Sequence, residues 1–321
     1  MEYKVIEGGG ITSPKGFTAG AVYVGVKSRK TQKPDVAVLY SETEASCAAV
    51  FTTNKFCAAP VILDREILKN GKARAIVINS GNANASTGTQ GIEDARTVEC
   101  EAEKLLGVGE NEVFVCSTGV IGQPMTIDPF ARGIPAAAAR LQASAEGSSE
   151  AAKAIMTTDT YEKEYAIEFE LAGKTCRLGA IGKGSGMIAP NMATMLAFYT
   201  TDAAVSPELL QKALRAVVPT TYNQMSVDLD TSTNDTLLLL ASSLAGNEPV
   251  VTEGPEYDKF LAALGAVAEH MCALHASDGE GATHLITCEV THAPDLKTAR
   301  AVSRSVVCSN LFKAAVFGRD A

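Results

Sequence analysis

Short apolar runs, either alternating with polar residues or rich in β-branched residues, recur along the whole chain and are bounded by turn residues. This is the pattern of β-strands that bury one or both faces. The runs predict strands at 21–26, 35–40, 47–53, 73–80, 113–118, 165–171, 194–201, 235–242 and 284–292.

Five other segments space their apolar residues as amphipathic helices do. They predict helices at 92–106, 149–156, 207–217, 256–276 and 297–315. The helix at 207 has the clearest start, because Ser206 can cap it, Pro207 suits the first turn and Glu208 favours the helix dipole. Gly107 is a plausible C-cap for the first helix. Strands and helices are mixed without strict β–α alternation, so the pattern predicts an α/β or α+β fold with helix-covered sheets and argues against a Rossmann domain.

Composition and charge narrow the class of protein. The 321 residues are 46% hydrophobic and 20% charged, which fits one large or two medium globular domains. The net charge of −9 argues against a nucleic-acid partner, which needs a clustered basic surface, and favours small polar substrates. The start "MEYKVIEGGG" lacks the pattern of a signal peptide, and no apolar run approaches the roughly 18 residues of a membrane span. We therefore expect a cytoplasmic protein that does not bind a membrane.

Cysteine and histidine usage excludes several kinds of site. The eight cysteines include no C-x-x-C pair, so we expect reduced, mostly buried thiols. His270 and His275 are five residues apart on a predicted helix and face different sides, and with Cys272 they make a poor zinc spacing. Packed or surface histidines explain them better. The absence of a histidine placed as a base argues against a Ser-His-Asp enzyme.

Two glycine- or acid-rich stretches resemble ligand loops without matching them. The string "GKGSG" lacks the phosphate-loop pattern, because Arg177 stands where a glycine is needed and Gly184 follows Lys183. The acidic run 228–235 lacks the glycine that a calcium loop has at its sixth position. The sequence therefore predicts no metal site.

The stretch 183–196, "KGSGMIAPNMATML", offers another kind of catalyst. A threonine hydroxyl becomes a nucleophile when a base lies beside it, and the α-amine of an N-terminal threonine is such a base, with a pKa near 8. Cleavage after Ala193 would expose that amine on Thr194, and the upstream glycines and Pro190 allow an unusual backbone. A simpler interpretation, that Thr194 merely begins the strand 194–201, stays open and is favoured on this stretch alone.

The stretch 183–203 closely resembles the self-cleavage region of the ornithine acetyltransferase (ArgJ) family, the glutamate N-acetyltransferases of arginine biosynthesis. Seven further blocks resemble the family in order and spacing, so the resemblance covers essentially the whole chain. These blocks are "ITSPKGFTAGAV" (11–22), "AAVFTTNKFCAAPV" (48–61), "VINSGNANASTG" (77–88), "VCSTGVIGQP" (115–124), "IMTTDTYEKE" (155–164), "VDLDTSTNDT" (227–236) and "SDGEGATHLI" (277–286).

The resemblance implies a layered αββα sandwich of the self-cleaving N-terminal-nucleophile kind and a ping-pong reaction. The acetyl group of N2-acetylornithine would pass to the threonine as an ester and then to glutamate. The resemblance implies no metal and no bound cofactor. Some family members also take acetyl-CoA as the donor, which the sequence leaves open. It further implies a heterotetramer of two α chains, 1–193, and two β chains, 194–321.

The family's roles map onto matching residues of this chain. Thr194 would be the nucleophile, freed by cleavage after Ala193, and the Thr118 hydroxyl and the Gly119 amide would form the oxyanion hole. The residues that would bind substrate, besides Thr194 itself, are Thr157, Lys183 and Glu280. A lysine suits the α-carboxylate of an acetylated amino acid, and an acid suits the cationic amine of ornithine.

Departures from the family pattern leave two alternatives open. Leu229 stands where the family usually has glycine, and the chain ends at "AVFGRDA", where relatives continue with "NWGR" and two more substrate-binding residues. The resemblance thus implies a main domain at 1–280 and, at 281–321, the start of a smaller, C-terminally truncated α+β domain. One alternative is an N-terminal-nucleophile aminopeptidase or amidase of similar fold, and the other is an inactive, truncated relative.

Overall fold

The computed structural model describes residues 2–27, 32–189 and 195–320, and this part of the chain forms nine strands and eight helices. The strands are β1 (Tyr3–Val5), β2 (Phe17–Val22), β3 (Val36–Phe51), β4 (Lys72–Asn82), β5 (Val113–Val120), β6 (Lys163–Leu171), β7 (Lys174–Lys183), β8 (Leu196–Thr201) and β9 (Thr236–Ala241). The helices are α1 (Ala59–Ile67), α2 (Gly88–Leu106), α3 (Asp128–Ala138), α4 (Ala145–Ile155), α5 (Pro207–Val217), α6 (Pro255–Ser277), α7 (Leu296–Val307) and α8 (Asn310–Gly318).

All nine strands join in one mixed sheet, in the order β1-β6-β7-β8-β9-β3-β4-β5, with β2 paired to β3. The long strand β3 has an irregularity between Tyr40 and Ala45. Its first half pairs with β2 and β4, and its second half pairs with β9. Strands β4 and β5 are parallel, as are β8 and β9. The layered α/β class predicted from the sequence is confirmed.

Alternate residues of the central strands lie in two different apolar cores, because successive side chains of a strand point to opposite faces of the sheet. Leu196 and Phe198 of β8 belong to the core that α1–α4 cover. Ala197 and Tyr199 belong to the core under α5 and α6. Because both faces of the sheet are covered, its central strands are apolar throughout, and β9 reads "TLLLLA".

Within the described residues, α6 alone is long and apolar enough by composition to span a membrane. Its buried residues, among them Phe260, Leu264 and Val267, pack in the core with β6, β7 and α5. Its other face carries exposed acidic and basic residues such as Glu269. This is the arrangement of a core helix that covers a sheet.

Most predicted elements are present, and two predictions near the C-terminus are wrong. Ser206 caps α5 by accepting a hydrogen bond from the Leu209 amide at 3.3 Å, and Gly107 ends α2 in the left-handed conformation. The predicted strand 284–292 is absent, because this segment is exposed and has no strand partner. The predicted helix 297–315 is broken at Ser309, which caps α8.

Candidate active site

A cavity of about 1130 Å³ lies at the carboxyl ends of β4, β5 and β7. It is lined by five of the site residues predicted from the sequence, although they come from four separate stretches of the chain. Those five residues are Thr118, Gly119, Thr157, Lys183 and Glu280. Ala193 and Thr194 lie outside the described residues. Met195, which follows Thr194 in the chain, lines the same cavity.

Thr118 and Gly119 stand near the end of β5, where this strand runs parallel to β4. Gly119 has φ +135°, and a Cβ there would lie 2.3 Å from the carbonyl carbon of Gly81. Only glycine fits so close to a neighbouring backbone. The sequence "STG" therefore ends the strand in a conformation that a larger residue would disturb.

A buried asparagine braces this strand end from another segment. The Asn234 side-chain amide donates to the carbonyls of Ser117 at 2.8 Å and Ala83 at 2.6 Å. Asn234 thus joins the end of β5 to the loop after β4. The Ser117 hydroxyl in turn donates to Asn79 Oδ1 at 2.6 Å. These bonds fix the backbone on which Thr118 is carried.

Lys183 ends β7 and is almost fully buried. Its Nζ donates to Thr118 Oγ1 at 3.3 Å. Because the threonine oxygen accepts this bond, its own proton is free to be donated elsewhere. Lys183 and Thr118 thus form a polar pair on the cavity wall.

The pKa of Lys183 is lowered from its usual value, chiefly because burial disfavours the ammonium form. The Asp159, Asp235 and Glu280 carboxylates raise this pKa, and the neighbouring Lys163 lowers it. The carboxylates thus oppose the effect of burial on the pKa of Lys183 without outweighing it.

Glu280 and Thr157 lie at the exposed rim of the cavity. The Glu280 amide donates to the Ser185 carbonyl at 3.0 Å, and its carboxylate packs over Gly186, where a Cβ would approach Oε1 to 2.4 Å. The Thr157 amide donates to Asp159 Oδ2 at 3.0 Å. Both residues are thus held through their backbones, which leaves the side chains free to meet a ligand.

Two aspartates of the segment 228–235 hold the chain on either side of 190–194. Asp228 accepts hydrogen bonds from the amides of Met187 and Ile188, at 2.5 and 2.8 Å. Asp235 is buried and accepts from the Met195 amide at 2.9 Å. Asp235 therefore holds the amide of the residue that directly follows the predicted nucleophile in the sequence.

The cavity wall carries charges of both signs, which suits a ligand with both an ammonium and a carboxylate. Its basic residues are Lys27, Lys33, Lys153 and Lys183, and its acidic residues are Asp159, Glu162, Asp228, Asp230, Asp235 and Glu280. Lys27 Nζ donates to the carbonyls of Pro34 and Ala154, and burial lowers its pKa to about 8. Across residues 2–27, 32–189 and 195–320, no group of three or more His, Cys, Asp or Glu is arranged to hold a metal ion.

Several polar residues that build this site are not evident from the sequence. Asp159, Asp235 and Asn234 were given no role, although each stands in a block already singled out, "TTDT" or "TSTND". In the sequence, each is a carboxylate or amide residue among small residues, as expected of a buried polar side chain. Only the fold shows which backbone amides these side chains meet.

Comparison with known proteins places the chain beside one family. The model of the ArgJ family matches residues 18–321. The arginine biosynthesis bifunctional protein ArgJ of Caldanaerobacter subterraneus is 49% identical over 313 residues, which are 98% of this chain and 76% of the relative. The chain thus spans about three-quarters of that relative's length.

Two solved structures are also similar. The arginine biosynthesis bifunctional protein argJ of Bacillus halodurans is 39% identical with a TM-score of 0.57, over 59% of this chain and 97% of that one. The ornithine acetyltransferase of Mycobacterium tuberculosis, solved in complex with ornithine, is 34% identical with a TM-score of 0.54. That match covers 59% of this chain and 99% of the solved one.

Proposed function

The chain belongs to the ArgJ family, the acetyltransferases of arginine biosynthesis, and we propose that its cavity moves the acetyl group of N2-acetylornithine to glutamate. One observation carries the proposal. A single cavity brings a hydroxyl, a buried amine and a carboxylate together beside Met195, the residue that follows Thr194. These residues are Thr118, Lys183 and Glu280. Such a set serves acyl transfer between amino acids.

Thr194 is the proposed nucleophile. Cleavage of the Ala193–Thr194 bond makes it N-terminal, so that its α-amine accepts the hydroxyl proton as Oγ attacks the acetyl carbonyl. The tetrahedral oxygen then receives hydrogen bonds from the Thr118 hydroxyl and the Gly119 amide. On collapse, the C–N bond breaks, ornithine leaves with the proton held by the α-amine, and the acetyl group stays on Thr194 as an ester.

Glutamate completes the reaction in the same cavity. Its amine attacks the ester carbonyl, the Thr194 oxygen takes back a proton, and N-acetylglutamate leaves. Lys183 pairs with the substrate α-carboxylate, and Glu280 pairs with the side-chain ammonium of ornithine. Thr157 adds a hydroxyl at the rim. Acetyl-CoA is a second donor to be tested, since relatives are named bifunctional.

The proposal includes the assembly that the resemblance implies: a cytoplasmic heterotetramer of two 1–193 chains and two 194–321 chains. Lengths support the cleavage position. Residues 1–193 are three-fifths of this chain. Each of the two solved structures covers 59% of this chain, and the match takes in 97% and 99% of the solved chains' own lengths. A division into a main domain, 1–280, and a further domain that starts at 281 remains part of the proposal.

The test is an assay of purified protein with N2-acetylornithine, with and without glutamate. We expect N-acetylglutamate to form only when glutamate is present, and Thr194→Ala to form none. Release of ornithine and acetate without N-acetylglutamate would replace the proposal with a hydrolase. No reaction from any donor, acetyl-CoA included, would contradict it and indicate an inactive relative.

A further inference from the structure

A buried ion cluster joins one residue of the cavity wall, Asp159, to two residues that do not line the cavity, Lys163 and Asp278. Lys163, the first residue of β6, is 1% exposed, and its Nζ contacts Asp159 Oδ1 at 2.8 Å and Asp278 Oδ2 at 2.5 Å. Both carboxylates are also almost fully buried. Burying three charges is costly unless each is paired and hydrogen-bonded, so a cluster of this kind needs a reason beyond stability.

The two carboxylates hold backbone of the substrate-binding segments. Asp159 accepts the Thr157 amide through Oδ2 at 3.0 Å and the Gly184 amide through Oδ1 at 2.7 Å. Gly184 directly follows Lys183. One carboxylate therefore fixes the distance between the segment of Thr157 and the segment of Lys183.

Asp278 links the segment of Glu280 to the segments of Thr157 and Lys183. It accepts the Thr160 amide at 3.0 Å through its side chain, and its own carbonyl accepts the Ser185 hydroxyl at 2.6 Å. The Ser185 carbonyl then accepts the Glu280 amide. Lys163 thus ties together three segments that meet only in the folded protein.

The cluster also surrounds the amine of Lys183 with charge. Asp159 raises the pKa of that amine and Lys163 lowers it, while burial lowers it most. The other titratable groups that interact with Lys183 are Asp235, Glu280, Lys27 and His275. His275 packs against Gly182, the partner of Lys163 across β6 and β7, and burial lowers its pKa to about 4. It is therefore neutral near pH 7 and adds no charge there.

We propose that the Asp159–Lys163–Asp278 cluster positions the groups that bind the amino-acid substrate and sets the charge that Lys183 presents to a carboxylate. This inference rests on the proposed function for the identity of the substrate. In the proposed mechanism, none of the three side chains contacts the reacting atoms. They act through Thr157, Lys183 and Glu280, so they are positioning residues.

The test uses two variants that push the Lys183 amine in opposite directions. Asp159→Asn removes an anion, so the amine should lose its proton at lower pH. Lys163→Met combined with Asp278→Asn removes a cation and leaves Asp159 in place, so the amine should lose its proton at higher pH. The double change removes one charge of each sign and avoids leaving two buried carboxylates with no cation between them. We expect each shift to be about one pKa unit, or tenfold in the neutral fraction at a fixed pH.

The amine is titrated directly, by competitive labelling with trace 1-fluoro-2,4-dinitrobenzene and mass spectrometry of the Lys183 peptide. Lys259, exposed on α6 and paired with Glu256, is the internal control and should not shift. In steady-state assays, the alkaline limb of kcat/KM should move with each variant. KM for N2-acetylornithine and glutamate should rise about tenfold in Asp159→Asn, with a smaller change in kcat.

The readouts separate the two proposals. If the wild type transfers no acetyl group, the proposed function fails, yet labelling still decides the role of the cluster. Shifts in opposite directions in folded variants would support the cluster as a positioning device. Shifts in the same direction, or a loss of thermal stability with an unmoved Lys183 titration, would overturn it.

Discussion

The hydroxyl of Thr118 combines the two properties that an oxyanion donor needs. Its oxygen is fixed by the bond from Lys183 Nζ at 3.3 Å, and its proton remains available. The adjoining Gly119 amide is carried on the same braced strand end. In the proposed mechanism, these single hydrogen bonds form mainly in the transition state.

The first prediction concerns that hydroxyl. Thr118→Val keeps the shape of the side chain but removes the donor, so kcat should fall about 10²–10³-fold with a much smaller change in KM. Thr118→Ser is the matched control and should retain most of the activity. Steady-state kinetics with N2-acetylornithine and glutamate check both variants. A normal kcat with a large rise in KM would instead assign Thr118 to ground-state binding.

The second prediction concerns Leu229, which stands where the family usually has glycine. Its φ is +73°, a conformation that costs a residue with a Cβ about 1–2 kcal/mol, and its side chain is 44% exposed. Leu229→Gly should therefore raise the free energy of unfolding by about 1 kcal/mol, measured by urea denaturation. Leu229→Ala keeps the Cβ and should bring no such gain. Equal stabilisation by both substitutions would show that backbone strain is not the cause.

At the scale of elements, α6 carries a pH-sensitive histidine into the core. His275 Nδ1 contacts the Met271 carbonyl at 2.6 Å, and its Nε2 has no hydrogen-bond partner within the described residues. Burial and the neighbouring Lys163 lower the pKa of His275 to about 4 in the folded state. The unfolded chain, with a pKa near 6.5, takes up a proton first as the pH falls.

The third prediction follows from that difference. The free energy of unfolding should fall by about 3 kcal/mol between about pH 6.5 and pH 4, because protons bind to the unfolded state over this range. His275→Leu should flatten the profile in that window. Urea denaturation of both proteins at several pH values measures it. An unchanged slope in the variant would assign the acid sensitivity to other groups.

Elements with strong local signals were predicted, and those that depend on partners were not. The start of α5 is encoded by three consecutive residues, Ser206, Pro207 and Glu208, so it could be predicted without knowledge of the tertiary structure. Strand β7, "KTCRLGAIGK", was missed because its glycines and polar residues lack a strand pattern. It forms because β6 and β8 pair with it on both sides. The segment 284–292 has the pattern without such partners, and it forms no strand.

The same distinction holds for the candidate site. Five residues were predicted because family motifs mark them, and the fold brings all five to one cavity: Thr118, Gly119, Thr157, Lys183 and Glu280. The buried aspartates behind them were missed. Most of their identified partners are backbone amides, which every residue except proline carries, so no sequence pattern reveals the pairing.

At the scale of the whole molecule, the segments before and after the Ala193–Thr194 bond share one sheet. Strand β8 pairs with β7 across that bond, and β9 pairs with β3. Strands β8 and β9 lie in the middle of the sheet, with helices on both faces. Removing them would expose both apolar cores, so cleavage should leave the two fragments associated.

The fourth prediction is that the purified protein consists of fragments 1–193 and 194–321, which migrate together under native conditions and separate only when denatured. Size-exclusion chromatography followed by denaturing electrophoresis tests it. Thr194→Ala should give one full-length band and the same native elution. Separation of the fragments without denaturant would contradict the expectation that the pairing of β8 with β7 holds the two fragments together.

The most direct test of the proposed mechanism is the intact mass of the enzyme after brief exposure to N2-acetylornithine without glutamate. We expect one added acetyl group on the fragment that begins at Thr194, and we expect this group to be lost as an equal amount of N-acetylglutamate forms when glutamate is added. Thr194→Ala should gain none. An active wild type that never carries the acetyl group, or carries it on another residue, would contradict the threonine ester at the centre of this mechanism.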